Sequence, residues 1–145
     1  MSSVKVKVGD QIGPSIQELT RADLVRYAGA SGDFNPIHYS ESAARAAGLP
    51  NVIVHGMLTM GQVIQPLVDW AGGDPGAVLD YAVRFARPVP VPESGAVQLT
   101  VTGQVSAVES DRIKVNLTVT LAPAHPADGV PQKVLGKAQA ILRRR

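Results

Sequence analysis

The sequence predicts an α+β fold in which an antiparallel sheet wraps one long central helix. Three observations predict it. Met57, Met60, Ile64, Leu67, Val68 and Ala71 recur at helical spacing, and Val63 and Trp70 widen the stripe until it covers most of the circumference. After residue 77 the period of apolar residues changes to two and stays there. Helical segments come first and strands follow, so a sheet curled around the apolar helix is the economical way to bury it.

Taken in order, Val4 to Ile16 is polar-interrupted and extended. Thr20 is a good N-cap with Asp23 three residues on, and Leu24, Val25, Tyr27 and Ala28 mark one face of a helix that stops at Gly29 or Gly32. Ser40 to Gly48 reads as a second short helix ended by its glycine. The central helix follows, with Pro66 expected to kink it or end its regular hydrogen bonding and Gly72-Gly73-Asp74-Pro75-Gly76 to terminate it. Three alternating runs read as half-buried strands: Leu79 to Phe85, Val97 to Val105 and Ile113 to Leu121. Glu109-Ser110-Asp111-Arg112 joins the last two as a hairpin. Pro88, Pro90 and Pro92 make a stiff extended connection, Pro123 to Pro131 a surface loop, and Lys133 to Leu142 a last strand whose Ala-rich end also suits a helix. Together they make a meander of about five strands.

One hundred and forty-five residues, 45% of them hydrophobic, suit a single domain over 1–145 with a real core. Only 4% are aromatic, so that core is built from Val, Leu, Ile and Ala. No cysteine is present, which excludes disulfides and thiolate metal sites and suits a cytoplasmic location. There is no signal-peptide pattern and no apolar run long enough to span a bilayer. Fourteen Lys and Arg against twelve Asp and Glu give +2, but three of the fourteen are Arg143-Arg144-Arg145. The other eleven against twelve leave −1, so no basic nucleic-acid face is expected and the arginines read as a frayed tail.

The chemistry concentrates in residues 31 to 61. Asp33 and His38 stand five positions apart across Phe34-Asn35-Pro36-Ile37, and Pro36 disfavours helix at Asn35, so both lie on irregular backbone where side chains can converge. A carboxylate beside an imidazole supplies a base, an acid and an orienting acceptor near neutral pH. Turn-forming roles for Asp33 and Asn35 and a half-buried polar role for His38 fit the same spacing. Gly56 opens the central helix, where free N–H groups and the positive dipole end suit a developing oxyanion in a site closed to water. It reads equally as a turn glycine. His55 reads as a hydrogen-bonded core residue and His125 as a solvated loop residue, and three scattered histidines argue against a metal. Arg45, Arg84 and Arg87 are candidates for holding a phosphate of the carrier, or else ordinary solvated arginines. No Walker, GxSxG or glycine-rich phosphate motif occurs.

The run Tyr27-Ala28-Gly29-Ala30-Ser31-Gly32-Asp33-Phe34-Asn35-Pro36-Ile37-His38, followed by His55-Gly56-Met57, resembles the hydratase 2 motif of MaoC-like (R)-specific enoyl-thioester hydratases and dehydratases. Gly72 to Val78 and Val83-Arg84-Phe85 are similar to the B subunits of actinobacterial (3R)-hydroxyacyl-ACP dehydratases. The resemblance implies a hotdog fold along nearly the whole chain. It also implies an Asp33–His38 catalytic dyad, Gly56 as the oxyanion donor, and Asn35 and Pro36 as residues that shape the loop. The implied reaction is reversible dehydration of (3R)-hydroxyacyl thioesters to trans-2-enoyl thioesters, on coenzyme A or acyl carrier protein, without a metal or organic cofactor. A dimer, with a related hotdog subunit or with itself, is implied too. Some hydratases carry a serine further along the helix; here Gly61-Gln62-Val63-Ile64 offers none. A hotdog thioesterase and a non-catalytic partner subunit are the rival expectations.

Overall fold

A computed structural model describes residues 5–123, 127 and 129–144. Among the described residues, three α-helices and six strands are formed: β1 (Gln11–Leu19), α1 (Arg21–Ser31), α2 (Glu41–Ala46), α3 (Gly56–Trp70), β2 (Val78–Phe85), β3 (Val97–Val108), β4 (Arg112–Leu121), β5 (Gln132–Lys133) and β6 (Leu135–Arg143). His125 and part of the 123–131 loop lie outside the described residues.

The local signals act as read. Thr20 and Asp23 form a complete capping box on α1, which Gly32 ends at φ 75°. Ser40 caps α2, and Gly48 beyond it has φ 79°. The 109–111 turn joins β3 and β4 with Val108 opposite Ile113. The C-terminal segment is a strand and not a helix.

The sheet is antiparallel with strand order β1-β3-β4-β6-β2, and the short β5 pairs with the end of β4. This differs from the expected meander. β1 enters the sheet beside β3, and β2, whose sequence neighbour is β3, crosses to the far edge beside β6. α3 packs against β1 at one edge, β2 at the other, and β3 between, so the sheet curls around it. This is the hotdog arrangement. Val63 and Leu67 of α3 face a core of sheet residues that includes Leu99, Val101, Val105, Val115, Val119, Ala140 and Leu142. The inward positions of β3 and β4 alternate with outward ones, as the period of two requires.

Three expectations meet particular outcomes. α3 is uninterrupted through Pro66, which is buried, so the proline does not end the helix. The helix is buried or half-buried over most of its length, but Met57 is 60% exposed, and Met57, Gly61 and Gln65, four residues apart, leave one face open. The described terminal arginines are not frayed. Arg143 pairs with Arg112 across β4 and β6, and Arg144 donates its backbone N–H to the Asp111 carbonyl and its Nη1 to the Glu109 carbonyl. No helix among the described residues is long and apolar enough to cross a membrane.

Tyr81 ties the edge strand to the helix by donating its hydroxyl to the Met60 carbonyl at 3.0 Å. Burial pushes its pKa up to about 12. The neutral phenol is therefore the form the fold holds, while the unfolded chain ionises at about 10. Its contribution is complete below pH 10 and disappears as pH rises from 10 to 12. Tyr81→Phe should lose about 1 kcal/mol at neutral pH. The gap between the variant and the parent in urea melts should close above pH 10.

Candidate active site

Three short segments build the site. The first is the loop that leaves α1. The left-handed Gly32 turns the chain so that the Asp33 N–H meets Ser31 Oγ at 3.1 Å. Asp33 Oδ1 then accepts the Asn35 N–H at 3.1 Å, and Asn35 Oδ1 accepts the Ile37 N–H at 3.2 Å, opening a single 3₁₀ turn over Pro36–His38. The turn-forming roles of Asp33 and Asn35 are thus real, and they coexist with the convergence of Asp33 on His38. Asp33 Oδ2 lies 4.0 Å from His38 Nε2.

The second segment is the extended strip 52–55. The Ile53 carbonyl accepts from His38 Nδ1 at 2.7 Å. A carbonyl only accepts, so Nδ1 carries the hydrogen and Nε2, on the Asp33 side, is left with the lone pair. His38 is only 7% exposed, whereas Asp33 reaches solvent. The third segment is the start of α3. His55 is its N-cap without a side-chain capping bond, and the first helical N–H groups, beginning with Gly56, have no acceptor within the helix.

His38 and Gly56 line one cavity of about 420 Å³ with Ile37, Thr59, Phe85 and Arg87. A Cβ built on Gly56 would come within 3.2 Å of the Phe85 ring, so the glycine leaves room against that wall. Asp33 flanks His38 and does not line this cavity. Asn35 and Pro36 lie on the exposed loop, Arg84 on the exposed edge strand, and Arg45 beside Glu41 at 3.8 Å. A larger cavity of about 570 Å³ lies at the opposite end of α3, among Trp70, Ile113, Leu142 and Arg143. Its distance from Gly56 is ~21 Å of helix, and it holds none of these residues.

The histidines of the described residues are not scattered. His38 and His55 stack with ring centroids 3.8 Å apart and planes inclined by 19°, and Tyr27 meets His55 edge-on at 4.8 Å. His55 Nε2 donates to the Asp33 carbonyl at 3.2 Å. Burial lowers the His55 pKa; the Asp33 carbonyl raises it, the nearby His38 lowers it and the Asp33 carboxylate raises it. Ligand-type atoms of Asp33, His38 and His55 lie within 4.8 Å of one another. Two stacked rings nevertheless send their in-plane lone pairs along side-by-side lines that do not converge on one ion at about 2 Å. The signal for His55 was its place next to Gly56; nothing in the sequence marked the Ile53 carbonyl.

The MaoC-like domain model matches residues 5–123. The chain belongs to the MaoC-like domain family. It is 44% identical over 78 residues to 3-hydroxyacyl-thioester dehydratase X of Mycobacterium tuberculosis, a match covering 54% of this chain and 26% of that protein. It is 30% identical over 102 residues to the (R)-specific enoyl-CoA hydratase of Rhodospirillum rubrum, with 70% of each chain covered. Among solved structures, a MaoC-like dehydratase superposes with a TM-score of 0.87 at 38% identity, covering 97% of this chain and 41% of that one. The chain thus spans about a quarter of the M. tuberculosis relative and less than half of the solved MaoC-like chain.

The loop bonds are testable before any chemistry is. Asn35→Ala removes the acceptor that opens the 3₁₀ turn and should cost about 1 kcal/mol. Denaturant melts read the loss, and exchange broadening of the His38 ring resonances should report the loosened turn.

Proposed function

We propose that this chain catalyses the reversible syn dehydration of (3R)-hydroxyacyl thioesters to trans-2-enoyl thioesters in fatty acid metabolism. The observation that carries the reading is that His38, whose Nε2 lies 4.0 Å from Asp33 Oδ2, and Gly56, at the start of α3, line one cavity. The names of the relatives, a hydroxyacyl-thioester dehydratase and an (R)-specific enoyl-CoA hydratase, support the same reaction class.

In the dehydration direction His38 Nε2 takes the α-proton. The electron pair moves onto the thioester carbonyl, whose oxygen lies against the Gly56 N–H at the positive end of α3. The C3–O bond then breaks, the hydroxyl is held at Asp33, and the proton crosses the dyad to leave with it as water. The Nδ1–H bond to Ile53 keeps the lone pair at Nε2 in the neutral ring. Asn35 and Pro36 shape the turn that carries both groups. The carrier is coenzyme A or acyl carrier protein. Arg87, on the cavity wall, and Arg84, three residues back, form no ion pair among the described residues and would meet its phosphates.

Pairing with a second hotdog subunit, either related or identical, is part of the proposal, with residues 1–145 acting as one domain. β2 is an edge strand with Leu79 44% and Phe85 51% exposed, next to the open face of α3.

Crotonyl-CoA hydration, followed by loss of the enoyl-thioester absorbance, tests the dyad. Asp33→Asn and His38→Ala should each lower turnover by about 10²–10⁴-fold while remaining folded. Parental turnover in either variant refutes the mechanism, and release of free thiol instead of hydration would identify a thioesterase.

Gly56 permits a cleaner test. Gly56→Pro removes the N–H at the first helical position, where proline is best tolerated, and the His55 backbone at φ −56°, ψ 132° suits a residue before proline. Gly56→Ala brings the same Cβ against Phe85 but keeps the donor. The proline variant should fall below the alanine variant by about 10²–10³-fold in kcat.

A further inference from the structure

We propose that His55 is a positioning residue for His38, which it holds ring on ring at 3.8 Å while remaining neutral itself. The inference rests on the reading of His38 as the reacting base.

The tautomer of His55 follows from its one polar contact. Its Nε2 faces the Asp33 carbonyl at 3.2 Å, so that nitrogen carries the hydrogen and Nδ1 holds the lone pair. Nδ1 is buried and has no hydrogen-bond partner among the described residues, and the whole residue is 1% exposed. Protonating Nδ1 would place a charged N–H against no acceptor in an apolar site, next to an imidazole 3.8 Å away that must itself take up a proton. The groups facing His55 are Tyr27 from α1, Asp33 from the loop and His38 from the 3₁₀ turn. Only the Asp33 groups favour a charge on it, and desolvation opposes them.

A structural histidine would serve packing equally well in either tautomer. This one does two things that packing does not require. Its Nε2–H holds the backbone of the residue whose carboxylate meets His38, and its flat face fixes the plane in which His38 Nε2 points. Of the two stacked rings, only that of His38 belongs to a residue lining the cavity, and the bare nitrogen of His55 is buried away from it.

The test uses the intact chain labelled with nitrogen-15 and follows both histidine rings by long-range proton–nitrogen correlation from pH 8 to pH 5. In the parent, His55 should stay the neutral Nε2–H form across this range. Protonation of His55 within it overturns the proposal with no variant needed. His55→Phe keeps a flat face and loses the donor; His55→Gln keeps a donor and loses the face. Each should lower kcat on the order of 10²-fold with KM within about threefold, the expected result of misplacing a reacting group. A folded variant of either kind with parental kcat and an unchanged His38 titration also overturns it. Failure of the dyad reading looks different: His38→Ala would then retain turnover whatever the rings do.

Discussion

The site depends on one strip of backbone that bonds in two directions at once. Residues 52–54 run antiparallel to 89–91, with the Val91 N–H donated to the Val52 carbonyl and the Val54 N–H donated to the Val89 carbonyl. The alternation of an extended chain turns the polar groups of Ile53 the other way. There its N–H donates to the Ile37 carbonyl and its carbonyl accepts from His38 Nδ1. Val52 and Val54 are buried while this happens, so the strip cannot slide without exposing both or orphaning four bonds. His55 and Gly56 follow directly. The imidazole and the start of α3 are therefore placed by the same three residues, and the precision of the pair is that of a short β-ladder and not of a free loop.

Much of this was legible in the sequence because the signals were local. Thr20 with Asp23, Ser40, Gly32 and Gly48 mark helix ends through bonds made within four residues, and these hold in the structure. The β3–β4 hairpin is likewise local. The place of β2 was not legible. Its alternating residues fit a half-buried strand anywhere in the sheet, and only the closing of the sheet around α3 sends it to the edge beside β6. The exposure of Met57 has the same origin: helical periodicity says which residues share a face, not whether a neighbour covers it. At the site, Asp33 and His38 could be named from five residues of spacing and a resemblance, whereas the stack of His38 on His55, seventeen residues on, arises from the 52–55 strip alone. The terminal arginines misled because charge suggested solvent, while the backbone of Arg143 was completing a ladder.

Buried polar groups usually cost stability unless they are paired, and this fold buries two histidines side by side at the point where its loop meets its helix. Three of the four ring nitrogens have an account: two donate to carbonyls, and one faces Asp33 and the cavity. The fourth, Nδ1 of His55, does not. A packing-only role would be met at least as well by Phe, which stacks without burying a lone pair. That the sequence carries histidine here is intelligible if the Nε2–H to Asp33 is needed and the bare nitrogen is what that tautomer leaves behind.

The open side of α3 completes the argument about how the fold and the site are related. A helix enclosed fully by its own sheet would close off the cavity at its start, and a helix left wholly open would expose its first N–H groups to water. Here the buried face of α3, with Thr59, Val63, Pro66, Leu67 and Val68, anchors the helix, while Met57, Gly61 and Gln65 stay uncovered. Phe85 belongs to both regions: its ring stands against Gly56 in the cavity, and its strand is the unpaired edge of the sheet. One side chain therefore belongs both to the edge of the sheet and to the wall of the cavity at the helix start, so a shift of that edge strand changes the width of the cavity.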